Sequence, residues 1–194
     1  MASTYTTNLG LEKPATGDRS GTWGTMVNTS SDLIDQATDG ILSHTLSATG
    51  STGSPNDLPI TNGTVSTGRN KFIDFVDGGD IGGTVYVRIT PNDAEKIAFV
   101  RNSLSGSRSI LLFQGTYNAS NDLELENGKD YIVKFSGTGS GATVTGVLIN
   151  PVFATIKNSG AYTGGGLMTT GGNIVIPDAG NIGSASDTNA IAVS

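Results

Sequence analysis

The chain has no cysteine, one histidine and one tryptophan. Without cysteine there is neither a disulfide framework nor a thiolate metal site, so stability has to come from burial, hydrogen bonding or oligomerisation. A single histidine, His44, excludes a multi-histidine metal centre and leaves one candidate for a Ser-His-Asp arrangement. Beside the end of a helical pattern it reads as structural or exposed. Charge is also scarce, at 14% of residues, where about a quarter is usual. Lysine and arginine number 11 against 17 acids, for a net charge of −6, and they form no basic run. That excludes a phosphate-neutralising surface, and no nucleic acid is expected as a partner. No apolar run reaches the length of a membrane span, and MASTYTTNLG lacks the basic and apolar regions of a signal peptide. The expectation is synthesis in a cytoplasm without membrane insertion.

What the chain does have is glycine, 28 of 194 residues, with abundant serine, threonine and asparagine. This suits short strands joined by tight turns, or an extended assembly, and the length allows one ordinary domain with extensions. Helical periodicity is confined to one stretch. Trp23, Val27, Ile34, Ala37 and Ile41 recur at spacings of three, four or seven, and Met26 and Leu33 widen the stripe. Pro14 keeps the preceding Lys13–Asp18 out of a helix, Ser20 or Thr22 suits an N-cap, and Asp39-Gly40 a stop. The reading is an arm and a solitary helix over residues 1–42, whose apolar face must be buried on its own domain or on another chain.

Beyond Leu42 the period becomes that of strands. His44–Thr49 reads as a short strand and Gly50–Asp57 as a loop. Lys71–Val76, Thr84–Thr90, Lys96–Arg101, Ser109–Gln114, Leu123–Glu126, Tyr131–Phe135 and a segment from Ala142 follow, with Val85, Val87 and Ile89 alternating against Tyr86, Arg88 and Thr90. Asn102–Ser107 reads as a hairpin-type loop, and Asn127-Gly128 as a hairpin turn. The expectation is a mainly β protein, with an antiparallel β-sandwich or jelly-roll-like domain over residues 43–153.

Residues 154–194 lose almost all charge and gain glycine clusters at Gly164–Gly166 and Gly171-Gly172. Their few apolar residues would not offset a chain entropy of roughly 1–2 kcal/mol per residue. Three copies wrapped about one axis would share the isoleucines and valines of Asn173–Ile176 and Asn181–Ile191 in a common interior. The expected shape is a Gly-rich, shaft-like segment in a homotrimer, ending as though a longer fibre continued.

Catalytic constellations are sparse. Asp74, Asp77, Asp80, Asp93 and Glu95 form the densest acidic cluster, yet Asp77–Asp80 is also an ordinary turn and lacks calcium-loop spacing. Gly137–Gly141 has no lysine and no following helix, as a phosphate cradle requires. Arg69, Arg88, Arg101 and Arg108 are dispersed. No enzyme activity, cofactor or metal is expected.

The opening carries a resemblance. Asn8–Leu11, Lys13 and Pro14 form an NLGL-x-KP arm, Thr22–Gly24 and Asn28 a TWG-x-x-x-N start, and Leu33–Asp35 an LID run. Together they resemble the N-terminal regions of tail fibres and related virion proteins of short-tailed phages of marine bacteria. Gly68–Phe135 resembles a β module of such virion proteins, and Gly172–Ile191 resembles segments leading into a trimeric shaft. The resemblance implies a structural protein of the virion tail, made in the host cytoplasm. Its arm and helix would attach the fibre to a tail adaptor, nozzle or portal protein, while a distal part outside this chain binds the host receptor. The implied docking residues are Leu9, Leu11, Trp23, Met26, Val27, Leu33 and Ile34. A head decoration or capsid-fibre protein is the alternative within the structural class. A carbohydrate-binding or depolymerase module, using Tyr86, Tyr117 and the Asp74, Asp77 and Asp80 cluster, is the alternative outside it.

Overall fold

The computed structural model describes residues 3–147; the shaft-like segment expected over 154–194 lies outside the described residues. The described residues are mainly β with one α-helix. A two-residue strand β1 (Thr4–Tyr5) pairs antiparallel with β2 (Glu12–Lys13), and helix α1 (Trp23–Asp39) follows. Nine further strands then build two sheets: β3 (Ile41–Leu46), β4 (Asn56–Pro59), β5 (Phe72–Asp77), β6 (Val85–Thr90), β7 (Lys96–Asn102), β8 (Ile110–Gln114), β9 (Leu123–Leu125), β10 (Asp130–Phe135) and β11 (Val144–Gly146). One sheet has the order β11-β10-β7-β5-β3, the other β4-β6-β8-β9. The described residues fall within one compact unit.

The helix begins after Thr22 and ends at Gly40, both as the sequence suggests. It does not carry the periodic stripe through to Ile41, because the chain turns extended at Gly40 and Ile41 opens β3. A side chain at Gly40 would put its Cβ 2.2 Å from the Gln36 carbonyl oxygen and 2.7 Å from Asn70 Oδ1, so only glycine fits this close approach. Strand β4 was not expected. Its Leu58 is buried, but Asn56, Asp57 and Pro59 around it give a composition indistinguishable from the preceding loop.

The alternating burial of β6 is as expected, with Val85, Val87 and Ile89 inward. The strand directions are not. The sequence suggests antiparallel pairing, but β3 with β5, β5 with β7, β4 with β6 and β6 with β8 are all parallel. From β3 to β8 the chain alternates between the two sheets, so each crossover between parallel neighbours is itself a strand of the opposite sheet. Among the described residues of these two sheets, antiparallel pairing joins β8 to β9, β10 to β7 and β10 to β11. The Asn102–Ser107 loop and the Asn127-Gly128 turn therefore do not close hairpins. Each carries the chain from one sheet to the other.

The two inner faces meet in one core. Ile73, Phe75, Val100, Val133 and Phe135 from the five-stranded sheet pack with Val85, Val87, Ile110, Leu112 and Leu125 from the four-stranded one. Each such side chain contributes about 1.5–3 kcal/mol of burial. Buried polar residues hold the turns between sheets. Asn102 donates from Nδ2 to the carbonyls of Arg108 and Leu125, both at 2.8 Å, and accepts from Leu104 N–H at 3.1 Å. Gln114 donates to the Pro91 and Ala94 carbonyls and accepts from Gly137 N–H at 3.0 Å.

Candidate docking surface of the arm and helix

The arm is a small folded element. Thr6 N–H donates to the Leu11 carbonyl at 2.9 Å, Leu11 N–H donates to Thr6 Oγ1 at 2.9 Å, and Arg19 pairs with Glu12. What fixes the arm to the β body is Arg69, in the turn after β4 and only 2% exposed. Its guanidinium donates to the carbonyls of Leu9, Thr61 (2.5 Å) and Thr64 (3.3 Å), while Nε has no partner. Burial pushes its pKa down. Gly63 N–H donates to the Gly10 carbonyl at 2.8 Å and Glu95 N–H to Asn8 Oδ1 at 3.0 Å. Lys96 lies in the same corner, with its ammonium on the carbonyls of Gly68 (2.5 Å) and Asn70. Burial, with Arg69 and Lys71 nearby, lowers its pKa to about 7.

The helix presents two different faces. Leu33 is fully buried, outside the main core cluster, in a crevice shared with Tyr5, Glu12, Arg19 and Met26. Gln36 Oε1 accepts from Ser66 N–H at 3.2 Å and joins this face to the loop before Arg69. On the adjoining face Trp23 is 64% exposed and Ile34 44%, with Val27 half-buried between them. The stripe read as one broad face is thus divided. Met26 and Leu33 line the crevice beside the chain's own arm, Trp23 and Ile34 are left toward solvent, and Val27 is half-buried. Leu33, one of the expected docking residues, is fully buried within the chain. Leu9 and Leu11 are half-buried, and Leu9 lines a groove beside Ala37, Ile60, Arg69 and Lys96.

Residues considered for chemistry are separated. His44 is inward-facing, 6.2 Å edge-to-face from Phe75, and burial lowers its pKa. Asp80 pairs with Arg108 at 3.0 and 3.1 Å, which holds its carboxyl below the usual range, and Asp77 accepts from Ser105 N–H and Oγ–H. Arg88 pairs with Asp57 and Arg101 with Asp130. Tyr86 and Tyr117 do meet, at 5.7 Å, and cover Phe113 on the outer face of the four-stranded sheet. Asp74 lies on the five-stranded sheet, so tyrosines and acids do not converge. Among the described residues no group of three His, Asp or Glu is placed to hold a metal ion, and no helix is long and apolar enough to cross a membrane.

The sequence places Arg69 among dispersed arginines expected to be solvated or at an interface, and its burial is not foreseen, since its neighbours Gly68 and Asn70 mark only a turn. The sequence reading missed the apolar outer face of the five-stranded sheet, where Ile97, Phe99 and Ile132 lie. The signal for that face was present, because Ile97-Ala98-Phe99-Val100 is a continuous apolar run and not an alternation. No family model, no curated protein and no solved structure matches the chain.

Proposed function

We propose that this chain is a non-enzymatic structural protein of a phage virion, the anchoring and proximal part of a tail fibre, acting as a homotrimer. The arm and helix dock on a tail adaptor, nozzle or portal protein, and the β body carries the fibre outward to its receptor-binding part. The observation that carries this reading is the exposure of Trp23 and Ile34 on a helix whose adjoining face is anchored to the chain itself through the buried Leu33. A single tryptophan held out on a rigid helix is the kind of side chain that anchors protein interfaces. The sequence resemblance of the same segment to virion anchors supports the choice of partner.

The test is incorporation of Trp23→Ala into particles, alongside an epitope inserted in the exposed Ser51–Ser54 loop and read by gold labelling. The expected result is tail labelling in the parent protein and its loss in the variant, with the β body still folded. Labelling over the head would replace the fibre anchor by a decoration protein. Normal incorporation of the variant would remove the helix from the docking site.

A further inference from the structure

The outer face of the five-stranded sheet carries a row of apolar side chains that crosses every strand. Ile41 is in register with Phe72, Phe72 with Phe99, and Phe99 with Ile132. Val147 follows, its N–H on the Ile132 carbonyl at 2.8 Å. With strands spaced by about 4.8 Å, the row is about 19 Å long. Ile41 is 79% exposed, Val147 50% and Phe99 41%. Nothing in the described chain covers them, and a groove lined by Phe72, Phe99, Tyr131 and Ile132 opens on this face. A contiguous apolar face of this kind marks an interaction site.

Charge is distributed unevenly about this row, net acidic on one flank, where Arg101 stands between two aspartates, and basic on the other. On one flank stand Asp74, Arg101 and Asp130, again in register across β5, β7 and β10. On the other stand Lys134 and Lys71, the latter with its ammonium 5.7 Å from the Phe99 ring centre. On β10 alone the outward sequence is Asp130, Ile132, Lys134: acid, apolar, base. Asp130 is paired with Arg101 at 2.9 Å, but a carboxylate has about four acceptor positions and retains room for a second cation. Asp74 Oδ1 is itself buried and has no hydrogen-bond partner among the described residues.

We propose that this face is the interface between three copies of the chain, with the apolar row running along the threefold axis and the strands perpendicular to it. Ile132 and Phe99 from each copy then meet at the axis. At each corner the basic flank of one copy meets the acidic flank of the next, placing Lys134 beside its neighbour's Asp130. The contact is head-to-tail, and such contacts form a ring when the rotation closes. This inference rests on the homotrimer in the proposed function and assigns it a surface.

The absence of native cysteine makes the test direct. Within one chain, positions 130 and 134 are separated by about 13 Å along a strand, whereas a disulfide needs Cα atoms within about 7 Å. The double variant Asp130→Cys/Lys134→Cys of the full chain is therefore oxidised and run on a denaturing gel, and the native mass of the parent and of Ile132→Asp is measured by light scattering. The expected outcome is a covalent trimer from the double variant, none from either single variant, and a folded monomer from Ile132→Asp. Covalent dimers alone would replace the threefold arrangement by a twofold one and overturn the proposal. A parent trimer that survives Ile132→Asp and does not cross-link would overturn the face and leave the fibre reading standing. A monomeric parent would remove the trimer and this face together, while tail labelling would still decide the anchor independently.

Discussion

The guanidinium of Arg69 donates to the backbone carbonyl of Leu9, 60 residues earlier in the chain. Through this contact and those to Thr61 and Thr64, one buried cation closes the arm onto the β body. Its substitution by methionine removes three hydrogen bonds from a charged donor, which are typically worth about 1.5–3 kcal/mol each. The expected outcome for Arg69→Met is faster hydrogen exchange and protease cleavage across residues 8–13, with the exchange of β6 and β8 unchanged. Equal loss of protection in arm and core would show that Arg69 holds the whole unit and not the arm.

Lys96 supplies a pH dependence. Its pKa is lowered from 10.5 to about 7 by burial and by Arg69 and Lys71. Between these values the unfolded chain binds a proton that the folded chain does not, so stability rises with pH across about 7 to 10.5, by at most about 1.4 kcal/mol per unit. Denaturant midpoints measured from pH 6.5 to 9.5 should climb in the parent protein more steeply than in Lys96→Met. Parallel profiles for the two proteins would exclude Lys96 as the source.

Leu33 and Trp23 should respond in opposite ways to truncation. Leu33→Ala empties a fully buried site and is expected to cost about 2–5 kcal/mol, read as lost protection of the helix amides. Trp23→Ala removes a side chain 64% exposed and should change stability by no more than about 0.5 kcal/mol. A large destabilisation by Trp23→Ala would place that indole in the packing and not on the docking surface.

Gly40→Ala tests the junction of helix and sheet. The added methyl falls 2.2 Å from the Gln36 carbonyl oxygen, so helix and β3 must move apart, at a cost of about 1–3 kcal/mol or more. A lowered melting temperature is expected. An unchanged one would mean that the close approach relaxes freely.

Much of the architecture was legible in the chain. Thr22 and Gly40 mark the ends of the helix because caps are local, and the inward set of β6 is visible because side chains alternate with period two. Strand direction is not encoded that way, since alternation is the same whichever way a strand runs. The Asn127-Gly128 signal suggests a hairpin because turn residues specify a reversal, not the sheet in which the next strand lands.

The sequence by itself determined a mainly β chain with one helix, the positions of most strands and the absence of cysteine chemistry, all of which follow from composition and short-range periodicity. Only the tertiary structure decided the rest. Parallel pairing of β5 with β7 arises because β6, the segment between them, crosses in the opposite sheet. The helix stripe divides into a face toward the arm and a face toward solvent because Arg69 brings Leu9 and the arm against the body. The apolar row from Ile41 to Val147 exists only once five separated segments are in register. Each depends on contacts between residues far apart in sequence, where no local pattern carries the information.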